Sequence, residues 1–445
     1  MSSLNRTPPA VRFPSRRRLR SWGVVASVAL ALWFARDRLS LSSARPNRLR
    51  FVHSFTTASE KAIIDDAVAA FEQSHPGLSV DQVVFNSETY QNIGWRLQFQ
   101  GSRQSDVFFT WLGFKTRQAS EQGWSLDLSP HLSEQDLAQF VPTTLGRNGD
   151  KIDFLPQSVD LSNLVWYNQQ WFRTNALSEP TSQAEWLAHC EKLRGPGSLA
   201  MVQGNREYWP MGNFGAELMG RSLGLARLNE LFLGRLPARA ETLAGLQLLV
   251  DFARQGSFDA PGVLAPGSIG SLSDLDAKVL FLSGKAAQHP IGSWFTADIR
   301  DARDHHELRF DPGVFGIPPG PNETPARTAV VTGYQVNSRT RHPREAVEFL
   351  KLLLSRPYQE RFAALGNLSA RRDATTFTTE PIPRRLLQIL AEPAAMVPPP
   401  DTGYSPERAA LFYELCSDLL LGKLDLTQAA SHWNRQQVLI ARKER

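Results

Sequence analysis

Hydrophobic positions in residues 51–109 alternate between a strand pattern and a helix pattern. Apolar runs at 51–55, 80–85 and 106–109 are short and predict three strands. Between the first two, apolar residues recur at helical spacing, at Ile63, Ile64, Ala67, Val68 and Phe71. Thr57 and Glu60 precede that run with the spacing of a capping box. Strands that alternate with helices predict a parallel sheet flanked by helices.

The same alternation continues toward residue 360, and the last quarter of the chain is helical in pattern. Apolar runs at 286–291, 315–321 and 330–336 predict strands, and Pro343 fits the first turn of the following helix. Ser405, Pro406 and Glu407 predict the start of a helix that continues to Gly422, and residues 425–428 start the final one.

The length and the charge distribution narrow the class of protein. A chain of 445 residues is too long for one core, so two domains are expected. Residues 1–50 contain 11 Arg and one acid, Asp37, whereas the remaining residues contain 38 basic and 43 acidic side chains. The body is therefore mildly acidic and lacks the basic stripe that nucleic-acid binding needs.

The N-terminus has the pattern of an export signal. Arginines between residues 12 and 20 precede an apolar segment at 22–35, which is shorter than a comfortable membrane span. Small residues at 42–44 offer a cleavage site, although Arg36 and Arg38 intervene. We therefore expect residues 1–44 to be an export signal or an N-terminal anchor, and the protein to be periplasmic or extracytoplasmic.

Two cysteines, Cys190 and Cys416, fall in segments of helical pattern far apart in sequence. We expect two buried thiols, with one long-range disulfide as the alternative that export would permit.

Several segments in consistent order resemble the extracellular solute-binding proteins of family 1, the sugar receptors of ABC importers that include maltose-binding protein. The resemblance extends over most of residues 50–435. Its segments are Phe71–Val80, Ser105–Val107 through Leu128, Leu155–Asn168, Ala286–Trp294, Ala346–Glu360 and Leu419–Ala430.

The resemblance implies an α/β fold of the type II periplasmic-binding-protein class. Each of its two lobes is expected to be a mostly parallel sheet flanked by helices, and hinge strands join the lobes. We expect lobe 1 at 45–156 plus 325–366, and lobe 2 at 157–324 plus 367–445. A monomer without a cofactor is expected, which binds a small polar ligand in the interlobe cleft and delivers it to ABC permease subunits.

Aromatic residues near the predicted strand ends are candidate ligand contacts, because flat rings suit the C–H faces of a sugar. Trp111 follows the predicted strand that ends at Phe109, where the resemblance implies a sugar-contacting tryptophan. Trp209 falls in a glycine-rich stretch that predicts a loop. The same rings could instead be core residues. The aromatic candidates are Trp294, Trp111, Trp209, Tyr334 and Tyr404.

Polar candidates come from the ends of the same strands, since open α/β sheets bind ligands beyond the carboxyl ends of their strands. They are Ser54, Thr56, Asn86, Glu88, Gln157 and Asp160. Leu112, Gly113 and Phe114 occupy the stretch where the family often has a charged residue, so a maltose-like set of hydrogen bonds is not expected.

Motifs for catalysis are missing from the sequence. It contains no paired-histidine metal motif, no GxxxxGK phosphate loop and no Gly-x-Ser-x-Gly elbow. A pair of carboxylates across a cleft could still make a secreted carbohydrate-active enzyme. A membrane-tethered sensor or scaffold that keeps the N-terminal helix is the other alternative to an importer component.

Overall fold

The computed structural model describes residues 47–85, 89–90, 94–99 and 104–443. The predicted export signal or anchor, and the candidate residues Asn86 and Glu88, lie outside the described residues. Within the described ranges, no helix is both long and apolar enough to cross a membrane.

Ten strands are described, and they are numbered in chain order. They are β1 Arg48–His53, β2 Ser79–Val84, β3 Val107–Trp111, β4 Gly146–Asn148, β5 Lys151–Leu161, β6 Leu164–Asn168, β7 Gln288–Ile291, β8 Pro312–Gly316, β9 Ala326–Val336 and β10 Ala395–Val397.

The described α-helices are numbered in the same way. They are α1 Ala58–Ser74, α2 Trp95–Leu97, α3 Phe114–Glu121, α4 Glu134–Ala138, α5 Gln169–Thr174, α6 Gln183–Leu193, α7 Trp209–Leu223, α8 Leu225–Phe232, α9 Gln247–Arg254, α10 Asp274–Leu282, α11 Phe295–Asp304, α12 Pro343–Leu353, α13 Arg356–Ala364, α14 Ala374–Phe377, α15 Pro381–Ala391, α16 Pro400–Gly403, α17 Pro406–Leu420 and α18 Leu426–Lys443.

The first sheet is ordered β2-β1-β3-β9-β5-β4. Strands β1, β2 and β3 are parallel, as predicted, whereas β9 lies antiparallel between β3 and β5. Helices α1, α12 and α13 pack together next to this sheet. Because β5 and β9 are each 11 residues long, they extend beyond β3 toward the second lobe. We refer to β5 and β9 as the crossing strands.

The second sheet corrects the prediction of a mostly parallel sheet in each lobe. Its order is β7-β6-β8, and β6 pairs antiparallel with both neighbours. The reason is topological: β6 follows β5 after a short turn and inserts between β7 and β8, which run in one direction and are joined through α11. The α/β two-lobed fold class itself is confirmed.

Buried hydrophobic residues form separate clusters around the two sheets. One cluster draws on residues 49–155 and 334–362, and two others draw on residues 159–329 and 368–440. Both cysteines are buried and free, as predicted. Among the described residues, the tryptophans that the sequence did not propose as ligand contacts belong to these clusters or pack against them: Trp95, Trp124, Trp166, Trp171, Trp186 and Trp433.

Local signals at helix starts are confirmed. The Thr57 side chain caps α1, accepting from the Glu60 amide, and Pro343 occupies the first turn of α12. The glycine-rich stretch around Trp209 was predicted as a loop, and this was wrong: Trp209 starts α7. Its glycines allow close packing, since a Cβ added to Gly212 would lie 1.9 Å from the Tyr413 ring.

A third chain segment runs beside the crossing strands. β10 pairs parallel with the start of β9, and the chain then forms the short helix α16, which packs against both α3 and α7. Gly113 in front of α3 has a φ of 143°, and a Cβ there would lie 2.1 Å from the Thr402 carbonyl oxygen. The Arg117 side chain donates to the Gly403 carbonyl oxygen at 2.8 Å. This contact joins the end of β3 to the C-terminal part of the chain.

Candidate functional site

The crossing strands place a row of side chains on one face of the first sheet, because directly opposed residues of antiparallel strands point the same way. Thr332 on β9 is opposed by Trp111 of β3 and by Ser158 of β5. Tyr334, two residues further on, is opposed by Phe109. The sequence predicted that Trp111 follows the strand, but Trp111 is the last residue of β3.

A chain of hydrogen bonds links this face to the second lobe. The Oγ of Ser158 lies 2.7 Å from the Oγ1 of Thr332 and donates to Asp160 at 3.2 Å. Ser293, in the turn after β7, donates to the other carboxylate oxygen of Asp160 at 3.1 Å. Burial raises the pKa of Asp160 to about 6, and the negative charge of Glu60 at the start of α1 adds to the rise. Asp160 therefore lies where the start of α1, the crossing strands and the second lobe meet.

Several buried polar atoms of the same region have no hydrogen-bond partner among the described residues. Gln157 is 1% exposed, and neither its amide nitrogen nor its amide oxygen is paired. The hydroxyls of Tyr334 and Ser54 are also buried and unpaired. Glu60 acts electrostatically on Tyr334 as it does on Asp160. Because nearly all buried polar groups in proteins are paired, these atoms are candidates for hydrogen bonds to a polar ligand.

Gln157 owes its position to an irregularity in the sheet. Pro156 is opposed by Gly333 and Ser158 by Thr332, so Gln157 is an extra residue between two paired ones. Such bulges re-aim side chains and are frequent beside functional sites. Gly333 is required opposite, since a Cβ there would lie 2.1 Å from the Leu155 carbonyl oxygen.

Two predicted aromatic contacts meet in the second lobe. The rings of Trp209 and Trp294 have centroids 5.9 Å apart and are inclined by 54°. Both side chains are partly buried. The Trp294 ring folds back over Gly292, where an added Cβ would lie 2.3 Å from the ring. The pair adjoins Ser293 and so places aromatic surface next to the hydrogen-bond chain of Asp160.

The third predicted tryptophan, Trp111, lies in the first lobe and is largely covered. It is 7% exposed, with the Tyr90 ring 5.9 Å and the Phe109 ring 5.2 Å from its own. The ammonium of Lys115 lies 5.2 Å from the centre of the Trp111 ring. A ligand that approaches Trp111 therefore meets a cation as well as a ring.

The remaining predicted residues are differently placed. Thr56 is exposed beside the cap of α1. Tyr404 packs within the second-lobe core, where its ring stacks on Phe232 at 4.1 Å and its hydroxyl donates to Asn229. The structure therefore does not bring Tyr404 to the row of side chains on the crossing strands.

Two residues next to the predicted set were missed. Tyr208 precedes Trp209 with a φ of 61° and a ring that is 43% exposed. Non-glycine residues held in this region are strained, and such strain clusters at ligand sites. No sequence pattern indicates a left-handed tyrosine. Lys115 was detectable, because it is the first basic residue after Trp111.

The region offers hydroxyls, an amide, a carboxylate and aromatic rings, which is a set suited to sugar hydroxyls and C–H faces. Among the described residues, no group of three or more His, Cys, Asp or Glu side chains could hold a metal ion.

Comparisons with known proteins identify the family of this chain. A family model described as bacterial extracellular solute-binding protein matches residues 56–360, more than half of the chain. An uncharacterized ABC transporter extracellular-binding protein of Pyrococcus horikoshii is 23% identical over 297 residues. That alignment covers 65% of this chain and 64% of the relative, so the chain spans less than two thirds of the relative's length.

Solved structures with the same fold include several proteins described by the sugars they bind. A chitin oligosaccharide binding protein has a TM-score of 0.76 at 20% identity, covering 90% of this chain and 100% of that one. The maltose/maltodextrin-binding domain of Bdellovibrio bacteriovorus, bound to maltotriose, has a TM-score of 0.65 at 19% identity, covering 89% and 100%. At these identities the likeness shows the fold alone.

Proposed function

Because this chain belongs to the bacterial extracellular solute-binding protein family, we propose that it is the substrate-binding component of an ABC importer. It captures a small polar ligand, a mono- or oligosaccharide, in the cleft between its lobes. The ligand-binding residues of this proposal are Gln157, Asp160, Tyr334, Ser54, Trp111, Trp209 and Trp294.

The observation that carries this proposal is the unpaired amide of the buried Gln157. An amide offers two N–H donors and a carbonyl acceptor, and sugar hydroxyls both donate and accept. A buried polar group without a partner costs about 1–3 kcal/mol. A ligand that satisfies this amide recovers that free energy.

Closure follows from the same arrangement. We assign residues 45–156 and 325–366 to lobe 1, and residues 157–324 and 367–445 to lobe 2, with the crossing strands as the hinge. The separate hydrophobic clusters support this division, except that Ala326 and Ala329 at the start of β9 pack with the clusters of lobe 2. A ligand drives closure only through contacts that it gains in the closed state, and Ser293 with the Trp209–Trp294 pair provides such contacts from lobe 2.

The partner of the closed form is a pair of permease subunits in the membrane, and the chain acts as an exported monomer that turns over no substrate. Names of the relatives support the assignment to ABC transport and to sugars. Incubation of the purified chain with labelled oligosaccharides, followed by chromatography, should return them unchanged; cleavage products that depend on the protein would contradict this part.

A saccharide panel tests the proposed ligand class. The full-length chain is melted with mono- and oligosaccharides, including maltotriose and chitin and xylan oligomers. A ligand at about 100 times its dissociation constant should raise the free energy of unfolding by about 2.7 kcal/mol. If a polyamine, a metal ion or a peptide raises the melting temperature and no saccharide does, the proposed ligand class is wrong.

Gln157→Leu separates the ligand site from the core. Leucine has no polar atoms to leave unpaired, so the ligand-free variant should melt at a temperature equal to or above that of the wild type, while the saccharide-induced rise should disappear. Gln359 is the matched control: it is equally buried, donates to the Leu353 carbonyl and accepts from Ser369. Gln359→Leu should therefore lower the melting temperature and keep ligand binding. A Gln157→Leu variant that is destabilised but still binds would contradict the site.

A further inference from the structure

Three basic side chains near Trp111, Arg96 of α2 and Lys115 and Arg117 of α3, have no carboxylate partner among the described residues. Lys115 stands on the Trp111 ring, Arg96 is close enough to act electrostatically on Lys115, and Arg117 donates only to a backbone carbonyl. Among the described residues, none of the three bases forms an ion pair with an acid. Among the acids that the structure describes, Asp401 of α16 is the one that acts electrostatically on Lys115.

Lys115 is the least exposed of the three bases. Its side chain is partly buried, and this burial lowers the pKa of Lys115, with Asp401 opposing and Arg96 adding to the effect. Its one direct partner among the described residues is the Trp111 ring. An ammonium removed from water without an acceptor is unfavourable. The position next to a predicted ligand contact suggests that an acceptor arrives with the ligand.

Other chemistry of the ligand site agrees with an anionic ligand. Ser54 and Tyr334 provide buried hydroxyls, and Gln157 provides an amide, all unpaired among the described residues and all able to donate to an oxyanion. Arg117 and Arg96 are exposed and add positive charge near Lys115, which attracts anions from solution.

We propose that Lys115 is a specificity-determining residue that makes this cleft prefer saccharides carrying an anionic group over their neutral counterparts. This inference rests on the proposed function and names its ligand class more closely. A lysine is a point charge without a fixed fork of donors, so Lys115 alone does not separate a sugar carboxylate from a sugar phosphate. Both have to be tested.

Calorimetric titration of the full-length chain tests the preference directly. Digalacturonate is compared with neutral galactobiose, and glucose 6-phosphate with glucose. At least one acid should bind about tenfold or more tightly than its neutral counterpart, because hydrogen bonds to charged groups are the stronger ones. The pair that shows the difference identifies the anionic group as carboxylate or phosphate.

Substitutions then assign the preference to Lys115. Lys115→Met should abolish the difference between acid and neutral ligand, and Lys115→Arg should retain most of it. Lys151 is the control, since it is an exposed lysine at the start of β5 in the same lobe; Lys151→Met should leave both affinities unchanged.

The competing explanation is that Lys115 and Asp401 attract one another only to hold the lobes together. In that case Lys115→Met and Asp401→Asn would lower the affinities for acidic and neutral saccharides equally, and the inference would be overturned. If Lys115 recognises the ligand, Asp401→Asn should leave the affinity for the acidic saccharide unchanged or raise it. The substitution removes a negative charge that repels the negatively charged ligand.

The remaining outcomes separate this inference from the proposed function. Equal or tighter binding of the neutral saccharides by the wild type would overturn the inference and leave the carbohydrate-binding function standing. If no acidic or neutral saccharide binds, both fail.

Discussion

Asp160 makes the stability of the ligand-free protein depend on pH. Its pKa of about 6 in the folded chain lies above the ordinary value near 4 of an aspartate. Between these values the folded state binds more protons than the unfolded state. The contribution of Asp160 to the free energy of unfolding therefore falls as the pH rises from about 4 to about 6, and the loss is complete above that window.

Asp160→Asn should remove this dependence. The amide keeps the side-chain shape, accepts from Ser293 and donates to Ser158. At pH 8 the ligand-free variant should be about 1–2 kcal/mol more stable than the wild type, and the difference should vanish or reverse near pH 4. Urea unfolding at several pH values measures this difference in the free energy of unfolding. Asp150→Asn is the control, because Asp150 is exposed.

Burial raises the pKa of Glu217 to about 7, so the contribution of Glu217 to the free energy of unfolding also falls as the pH rises. Only the difference between wild type and Asp160→Asn therefore isolates Asp160. A difference that stays constant from pH 4 to pH 8 would show that the raised pKa is wrong.

At the same scale, the sequence could name part of the site but not its geometry. Gln157 and Asp160 were named from their place near the hinge, and Trp294 from its turn after a strand. That Gln157 is unpaired depends on a bulge opposite Gly333, which no local pattern encodes. Tyr404 shows the limit of this reasoning. Its position after a run of prolines predicts an accessible ring, but the ring is stacked on Phe232.

At the scale of elements, Gly113 is predicted to be irreplaceable, because α3 and α16 approach too closely for a side chain between them. Gly113→Ala adds a Cβ 2.1 Å from the Thr402 carbonyl oxygen and requires a φ of 143°. We expect a loss of about 2–4 kcal/mol in the free energy of unfolding.

Gly123→Ala is the control for backbone strain alone, since Gly123 has a φ of 66° and open space around it. Its cost should be about 1 kcal/mol. Urea unfolding of both variants gives the comparison. Equal losses would mean that the contact between α3 and α16 contributes nothing beyond the backbone conformation.

Element starts were predictable where the signal is local. The Thr57 cap and the prolines at the first turns of α12 and α17 act within a few residues of the helix start. α7 was missed because glycine weakens a helix in isolation. Packing outweighs that weakness here, since Gly212 and Gly220 let α7 approach Tyr413 and Val397 closely.

At the scale of the whole molecule, the two-lobed α/β fold followed from length, alternation of elements and resemblance. The strand order did not, because β9 pairs with β3 and β5 across more than 150 residues of chain. The antiparallel insertion of β6 is equally non-local. Pairing over such distances depends on how complete elements pack, which the period of a single segment does not record.

The hinge proposal predicts a change of overall shape. The proposed ligand lies between Trp111 and Lys115 of lobe 1 and the Trp209–Trp294 pair of lobe 2. A saccharide bound between them gains contacts with both lobes only when the lobes approach each other, so binding should shift the population toward a more compact form.

Small-angle scattering should show a smaller radius of gyration at saturating ligand. The Gln157→Leu variant should keep its ligand-free radius under the same conditions, whereas Gln359→Leu should contract like the wild type. An unchanged radius, in a sample whose saturation is established by calorimetry, would mean that the lobes are already held together by the α3–α16 contact and that the ligand enters a preformed site.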